Sequence, residues 1–212
     1  MIPNDLNRLL SENDEDDIRI SIDRIDFSTE QIKMDLTFLN EIWGWDDQVE
    51  LESQRWTLTI PHPVKYNIAT YVCYQFEIVN NHPLLLLYTD RWQSLYFKGP
   101  ATDVKALMAD IFTAQLEVFD SLYNLTNFLN SERNVEALLR APSALLAKGP
   151  RTIIDKYASC LQAHNLPYSI VDGWQPTYWN GGQNVDTVEK LKLLLMGDTY
   201  VVAEEFLFEK RN

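Results

Sequence analysis

Hydrophobic and polar residues alternate in several stretches of the first hundred positions, which is the pattern of strands buried on one face. Residues 18–23 alternate in this way, and the alternation resumes at 32–38 after a turn at 28–30. These two stretches predict a hairpin, with a helical continuation of the second toward Trp43 as the alternative. A third stretch, 56–60, ends at two prolines, which deny a sheet its backbone donors.

The next stretch is rich in β-branched and aromatic residues and predicts one long strand from Tyr66 to Val79. A turn at 80–83 separates it from the apolar run Leu84 to Tyr88, which we interpret as another strand, and a further strand is expected around 95–97. Short turns favour antiparallel pairing, because parallel crossovers need a dozen or more residues.

Helical spacing of apolar residues appears at both ends of this β-rich zone. Residues 3–12 predict a short amphipathic helix. After Gly99 and Pro100, apolar positions three and four apart predict a helix of about 27 residues, roughly 40 Å long, capped by Thr102. A second helix is expected over 135–148 with an interruption at Pro142, and a third runs from Pro150 to a left-handed cap at Asn165.

The C-terminal part of the chain returns to strand patterns. Residues 168–171 predict one strand, and 191–196 with 199–206 predict a hairpin around Gly197 and Asp198. A helix over 187–196 is the alternative, since that stretch contains good helix formers. The hairpin register predicts three cross-strand pairs, namely Leu195 with Tyr200, Leu193 with Val202, and Lys190 with Glu205.

These elements together predict an α+β fold with a mainly antiparallel β-sheet and the long helix packed on one face. The chain is β-rich over 18–98, helical over 102–165 and has C-terminal strands over 168–206. No internal repeat and no linker-like composition divides it. We therefore expect a single domain covering residues 1–212.

The acidic charge of the chain is concentrated in its first part. The net charge is −13, and residues 1–60 contribute fifteen acidic and five basic side chains, a net charge of −10. A general nucleic-acid binder is disfavoured, because such proteins need clustered Lys and Arg. An ordinary solvated acidic surface accounts for this asymmetry, and the alternative is a face that meets a basic protein partner or mimics a polyanion.

The sequence also bears on the compartment of the protein. The N-terminal residues lack a basic segment followed by a long apolar one, so we expect no signal peptide. The longest strongly apolar run is five residues, far below the roughly 18 that span a membrane. Cys73 and Cys160 are far apart and form no disulfide framework, which predicts a cytoplasmic protein.

Catalytic and cofactor-binding signatures are absent from the sequence. Three histidines, His62, His82 and His164, show no metal-ligand spacing, so we expect no metal and no cofactor. Cys160 and His164 share one helical face, as a nucleophile and base would, but the sequence near them supplies no group that would orient the base. A buried structural cysteine is the alternative interpretation.

The aromatic residues provide the candidate binding residues. Two loops combine Trp or Tyr with polar side chains, a composition suited to stacking on a ring or anchoring an interface. The alternative is that these rings cover the end of the sheet. The candidate residues are Trp43, Trp45, Asp46 and Asp47 in the first loop, and Asp172, Trp174, Tyr178 and Trp179 in the second.

Two classes of function fit these observations. The first is a non-enzymatic protein-interaction module whose acidic N-terminal third meets a basic partner. The second is a small-molecule-binding protein or enzyme with a pocket between the sheet and the long helix, lined by the aromatic loops, with His62 among its polar groups. A homodimer is a further expectation, through self-pairing of strand 199–206 if that strand lies at a sheet edge.

Overall fold

A computed structural model describes residues 2–12, 17–43, 49–69, 71–132, 134–185 and 190–211. Every strand pair in it is antiparallel, and helices accompany the sheets, which confirms the predicted α+β class. The chain forms two compact units. The first contains Met1–His82 and Tyr178–Asn212, and the second contains Pro83–Thr177. The expectation of a single domain remains a prediction.

The larger sheet of the first unit has five strands. The predicted hairpin is present as β1 (Ile18–Phe27) and β2 (Gln31–Trp43), so the second strand reaches Trp43 without becoming helical. The other strands are β3 (Val49–Pro61), the short β5 (Val72–Cys73) and β14 (Leu207–Arg211), in the order β14-β3-β2-β1-β5.

Strand β1 contains a bulge that the alternation of the sequence does not show. Ile22 lies opposite Leu36 and Arg24 lies opposite Asp35, so Asp23 is an additional residue in the ladder. One additional residue shifts the side-chain alternation by one position. The apolar row of β1 therefore continues beyond the bulge at positions 25 and 27.

The second sheet of the first unit has four strands, with β4 (Lys65–Asn67) and β6 (Glu77–Val79) at its edges, in the order β4-β13-β12-β6. Its central hairpin, β12 (Lys192–Met196) and β13 (Thr199–Ala203), confirms the predicted pairs at Leu195 and Leu193. The third predicted pair is wrong: the ladder ends at Lys192, and Lys190 contacts Glu204. Because β4 pairs with β13, the latter is an interior strand, and the self-pairing edge expected for a homodimer does not exist there.

The predicted long strand 66–79 is wrong. This segment forms three short strands, β4 (Lys65–Asn67), β5 (Val72–Cys73) and β6 (Glu77–Val79), which belong to two different sheets. Composition favours extended backbone in this segment, but it does not determine which strand each residue pairs with.

The five-stranded and four-stranded sheets of the first unit contribute to one apolar core. Ile20, Met34 and Leu58 from the five-stranded sheet join Leu194 and Val201 from the four-stranded sheet, and all are fully buried. Helix α1 (Asn4–Glu12) adds Leu6 and Leu9, as its amphipathic pattern predicts. A small two-stranded sheet, β10 (Tyr178–Trp179) with β11 (Asn184–Val185), completes this unit.

The second unit contains a three-stranded sheet with the order β8-β7-β9. Its strands are β7 (Trp92–Lys98), β8 (Ser143–Pro150) and β9 (Tyr168–Asp172). Helices α3 (Val104–Phe119) and α5 (Arg151–Ala163) share its apolar core, in which α5 packs against β7 and β8, whereas the long helix α3 packs chiefly against α5. The Asp90 carboxylate caps α5 by accepting hydrogen bonds from the backbone N–H (2.7 Å) and hydroxyl (2.8 Å) of Thr152.

The long helix is shorter than predicted. Asp103 is its N-cap, accepting a hydrogen bond from the backbone N–H of Ala106, so the prediction of Thr102 as the cap is wrong. The helix ends at Phe119 because Asp120 has a φ of 48°, which an α-helix cannot continue. Apolar residues continue at helical spacing beyond Asp120, so periodicity alone predicts a helix that is too long.

Two further element predictions are wrong. The run Leu84 to Tyr88 is helical, with a 3₁₀ turn over Pro83–Leu85 and α2 over Leu86–Thr89. A short apolar run without alternation fits a strand and a buried helical turn equally well. The helix expected over 135–148 is confined to α4 (Val135–Leu139), and residues 143–148 belong to β8, which is paired along β7. The left-handed cap at Asn165 is confirmed, with a φ of 55°.

Candidate functional site

The first predicted aromatic loop lies mostly outside the described residues. Trp43 is the last residue of β2, and the structure describes its backbone only. Trp45, Asp46 and Asp47 fall in the range 44–48, outside the described part of the chain. Their role as binding residues remains a prediction.

The second predicted aromatic loop is divided between the two units. Asp172 and Trp174 belong to the second unit, whereas Tyr178 and Trp179 belong to the first. Trp174 and Trp179 are each 57% exposed, but Tyr178 is buried. The loop therefore exposes the rings of Trp174 and Trp179 to solvent, whereas the ring of Tyr178 is buried.

Trp174 stacks on a second indole ring, which the sequence analysis did not identify. The rings of Trp174 and Trp92 have centroids 5.5 Å apart and planes 19° apart. The backbone fixes this stack, because the N–H of Trp92 donates to the carbonyl of Trp174 (3.0 Å) and the N–H of Gly173 donates to the carbonyl of Trp92 (2.8 Å). A β-carbon on Gly173 would lie 2.7 Å from that carbonyl oxygen, so the close approach requires glycine.

Asp172, beside this stack, is held by two side chains. Gln93 donates to one carboxylate oxygen at 2.8 Å, and Arg91 donates to the other at 3.2 Å. The hydrogen bond from Gln93, together with the positive charges of Arg91 and Arg151, holds the pKa of Asp172 below its usual value. The carboxylate is thus engaged within the second unit and helps to join β7 to β9.

Tyr178 has a structural role in the first unit. Its hydroxyl donates a hydrogen bond to Glu204 at 3.0 Å, and Lys190 forms an ion pair with the other Glu204 oxygen at 3.3 Å. Burial, this hydrogen bond and the charge of Glu204 together raise the pKa of Tyr178 to about 12. The ring therefore anchors β10 to the chain beyond β13.

A small recess of about 210 Å³ lies beside Tyr178. It is lined by Pro61, His62, Tyr178, Asn180, Glu204 and Glu205. Gly181, with a φ of 91°, passes directly against the imidazole of His62, where a β-carbon would overlap the ring. The recess thus combines an imidazole, a phenol and two carboxylates from three separate segments of the first unit.

A larger aromatic surface in the first unit was missed by the sequence analysis. An open groove of about 590 Å³ is lined by residues of β1 between Ile22 and Phe27 and by Tyr66, Ile68 and Tyr71. The side chains of Phe27, Tyr66 and Tyr71 are 55%, 45% and 62% exposed, and the first two rings lie 5.6 Å apart. We call this surface, defined by Phe27, Tyr66, Ile68 and Tyr71 with the adjacent β1, the aromatic groove.

The bulge at Asp23 explains how the aromatic groove forms. It keeps Ile25 and Phe27 on the apolar side of β1, and Ile25 packs partly against the core, whereas Phe27 projects beyond it. The available sequence signal was an apolar residue immediately before a turn, at Phe27. The prediction of one long strand over 66–79 did not show that Tyr66 lies in β4 whereas Tyr71 immediately precedes β5, a strand of the other sheet.

The Cys160 and His164 pair does not have the properties of a nucleophile and its base. The structure supplies the missing third group, since the His164 imidazole lies 2.7 Å from the Asp110 carboxylate. Burial and the charges of Asp110 and Glu117 nevertheless raise the pKa of the Cys160 thiol. A reactive cysteine requires the opposite shift.

Within the described ranges, no group of three or more His, Cys, Asp or Glu side chains is arranged to hold a metal ion. Among the helices that the structure describes, none is long and apolar enough to cross a membrane. Comparison with protein-family models, curated proteins and solved structures finds no match to this chain.

Proposed function

We propose that this protein is a non-enzymatic protein-interaction module that binds a basic protein partner through the aromatic groove. The observation that supports the proposal is the exposure of three neighbouring aromatic side chains along one open groove, at Phe27, Tyr66 and Tyr71. Aromatic side chains that cluster on a surface are typical anchors of protein interfaces, because they bury a large area and lose little conformational entropy.

The charge of the chain supports the choice of partner. Phe27 lies within the first 60 residues, which have a net charge of −10. Arg24, the basic residue that lines the groove, is already paired with Asp26 at 3.0 Å. A protein with a net negative charge associates faster with a basic partner than with an acidic one.

A peptide selection tests the proposal. A library of random 16-residue peptides is selected on the full-length protein, with a Tyr66→Ala/Tyr71→Ala double variant used to remove peptides that bind elsewhere. We expect a family of related sequences, enriched in Lys and Arg, that requires both rings. Replacing the two anchors should weaken binding by about 30-fold or more, corresponding to about 2 kcal/mol.

The matched control is Tyr168→Ala, which removes a comparably exposed ring from β9 in the second unit. This change should leave peptide affinity unaltered. Recovery of the same peptides on the wild type and on the double variant would contradict the proposal, as would a selection that enriches no sequence.

Small-molecule binding is a second candidate function, and the recess beside Tyr178 favours it. This recess differs from the predicted pocket, which was expected between the sheet and the long helix. In the second unit, buried side chains such as Leu95, Ile111 and Ile154 fill the space between those elements. Glu204 is engaged by Tyr178 and Lys190, so the carboxylate of Glu205 is the group that suits a small organic cation. A thermal-shift screen with primary amines, repeated on Glu205→Gln, tests this function. A thermal shift that is the same in the wild type and in Glu205→Gln would exclude the recess as the binding site of the amine.

A further inference from the structure

Strand β1 is covered along its whole length on one side but only in part on the other. Strand β2 pairs with it from Ile18 to Phe27, whereas β5 pairs only with Ile20 and Ser21. Among the described residues, no strand pairs with 23–27 on the side of β5. The unpaired edge is about 17 Å long at 3.3 Å per residue and forms one wall of the aromatic groove.

Hydrogen bonds on either side of this segment show which backbone groups point outward. The N–H of Ile22 donates to the carbonyl of Tyr71 at 2.8 Å, so the backbone groups of Ile22 point away from β2. The N–H of Ser28 donates to the carbonyl of Gln31 at 2.9 Å, so Ser28 faces β2. Because the backbone groups of successive residues in a strand point to opposite sides, the N–H and C=O groups of Ile25 and Phe27 point away from β2.

The bulge makes these two observations compatible. Ile22 and Ile25 are three residues apart, and strict alternation would direct their backbone groups to opposite sides. The additional residue Asp23 restores the same direction, so Ile22, Ile25 and Phe27 all present their N–H and C=O groups to the edge. At Ile25 and Phe27, no backbone partner within the described residues occupies that side.

We propose that the partner binds as an additional β-strand: an extended segment of another protein pairs with the open edge of β1 at Ile25 and Phe27. This inference rests on the proposed function and specifies its binding mode. Edge strands are templates for such pairing, in which main-chain hydrogen bonds supply affinity and alternate side chains supply specificity. One row of the added strand would contact the rings of Phe27 and Tyr66.

The occupant is a segment of a different protein and not a second copy of this chain. Two copies of this chain would each carry a net charge of −13, of which residues 1–60, which include β1, contribute −10. Like charges at close range oppose such association. We expect a segment in which the side chains on one face are basic, because the negative charge of this protein attracts them. The side chains on its other face are apolar and contact the rings of the aromatic groove.

Amide hydrogen exchange measured by NMR tests this binding mode, with the most enriched peptide of the selection as the probe. Binding should slow exchange at Ile25 and Phe27 by about tenfold or more, because these amides become hydrogen-bonded. Exchange at Arg24 and Asp26 should change little, since their amides already face β2. A peptide N-methylated at alternate residues, with unchanged side chains, is the matched control and should lose most of its affinity.

The outcomes separate this inference from the function on which it rests. Ring-dependent binding without protection at Ile25 and Phe27 would overturn the added strand and leave the interaction module intact. Failure to obtain any ring-dependent peptide would overturn both. Concentration-dependent protection of the two amides in the protein alone, with sedimentation as a dimer, would assign the edge to a second copy and overturn the partner proposed here.

Discussion

The hydrogen bond between Tyr178 and Glu204 allows a quantitative test of the structural role assigned to Tyr178. Replacing Tyr178 with Phe keeps the ring, which is 6% exposed, and removes the hydroxyl that donates to Glu204 at 3.0 Å. A hydrogen bond to a charged group stabilises a protein by about 1.5–3 kcal/mol. The Glu204 side chain is 29% exposed and retains its ion pair with Lys190, so it is readily rehydrated. We therefore expect a loss of about 1.5 kcal/mol, at the lower end of that range.

The pH dependence of this loss is a second consequence of the same contact. The pKa of Tyr178 is about 12 in the folded protein, against about 10 for an unperturbed tyrosine. A raised folded-state pKa gives a stability contribution that is complete below pH 10 and disappears as the pH rises through 12. The difference in unfolding free energy between the wild type and Tyr178→Phe should therefore diminish between about pH 10 and 12.

Urea denaturation followed through Trp56 measures this difference. Trp56 is buried in the first unit, and its resonance in 5-fluorotryptophan-labelled protein reports unfolding of that unit. Tyr74→Phe is the control, because Tyr74 is exposed and its hydroxyl makes no hydrogen bond within the described residues. A change of less than about 0.5 kcal/mol in Tyr178→Phe, or a difference that persists unaltered to pH 12, would refute the reasoning.

Three further predictions concern backbone strain, a buried hydrogen bond and salt. Gly181→Ala should destabilise the first unit by about 1–3 kcal/mol in the same urea assay, because φ is 91° and the new methyl group meets His62, whereas Gly182→Ala should have a smaller effect. Tyr157→Phe should cost about 1–3 kcal/mol in thermal unfolding, because it leaves the buried Gln115 side-chain oxygen without its 2.6 Å donor; an unchanged midpoint would contradict this. Association of a selected basic peptide, measured by stopped flow, should slow as salt rises, and a salt-independent rate would exclude electrostatic steering.

The sequence was sufficient for elements whose local pattern and turn chemistry agree. Residues 18–23 and 32–38 alternate on both sides of a turn, and the structure pairs them as a hairpin. The register of the β12–β13 hairpin was predicted correctly, because Gly197 and Asp198 determine it, although the predicted strands 191–196 and 199–206 extend beyond the observed ones. In both cases a period of two and a short connection leave few alternative pairings.

The predictions failed where long-range packing decides the structure. Residues 143–150 contain good helix formers but pair along β7, because extended pairing buries Leu146 and Ala147 in the core. The run 84–88 has no periodicity that separates a strand from a helical turn.

The aromatic groove shows the same limit at a candidate site. It depends on one bulged residue, Asp23, and on two tyrosines from a segment that is divided between sheets. Tertiary pairing creates both features, so neither follows from local pattern. The predicted aromatic loops, by contrast, were recognisable from composition, but composition did not separate the buried Tyr178 from the exposed Trp174 and Trp179.

The central claim is that the exposed rings of the aromatic groove serve binding and not stability. Calorimetric titration of the most enriched peptide against Tyr71→Ala, with the unfolding free energy of the same variant measured in parallel, tests it most directly. Because Tyr71 is 62% exposed, we predict an unfolding free energy within about 0.5 kcal/mol of the wild type and an affinity at least about tenfold weaker. An unchanged affinity, or a loss of affinity matched by a comparable loss of stability, would contradict the claim.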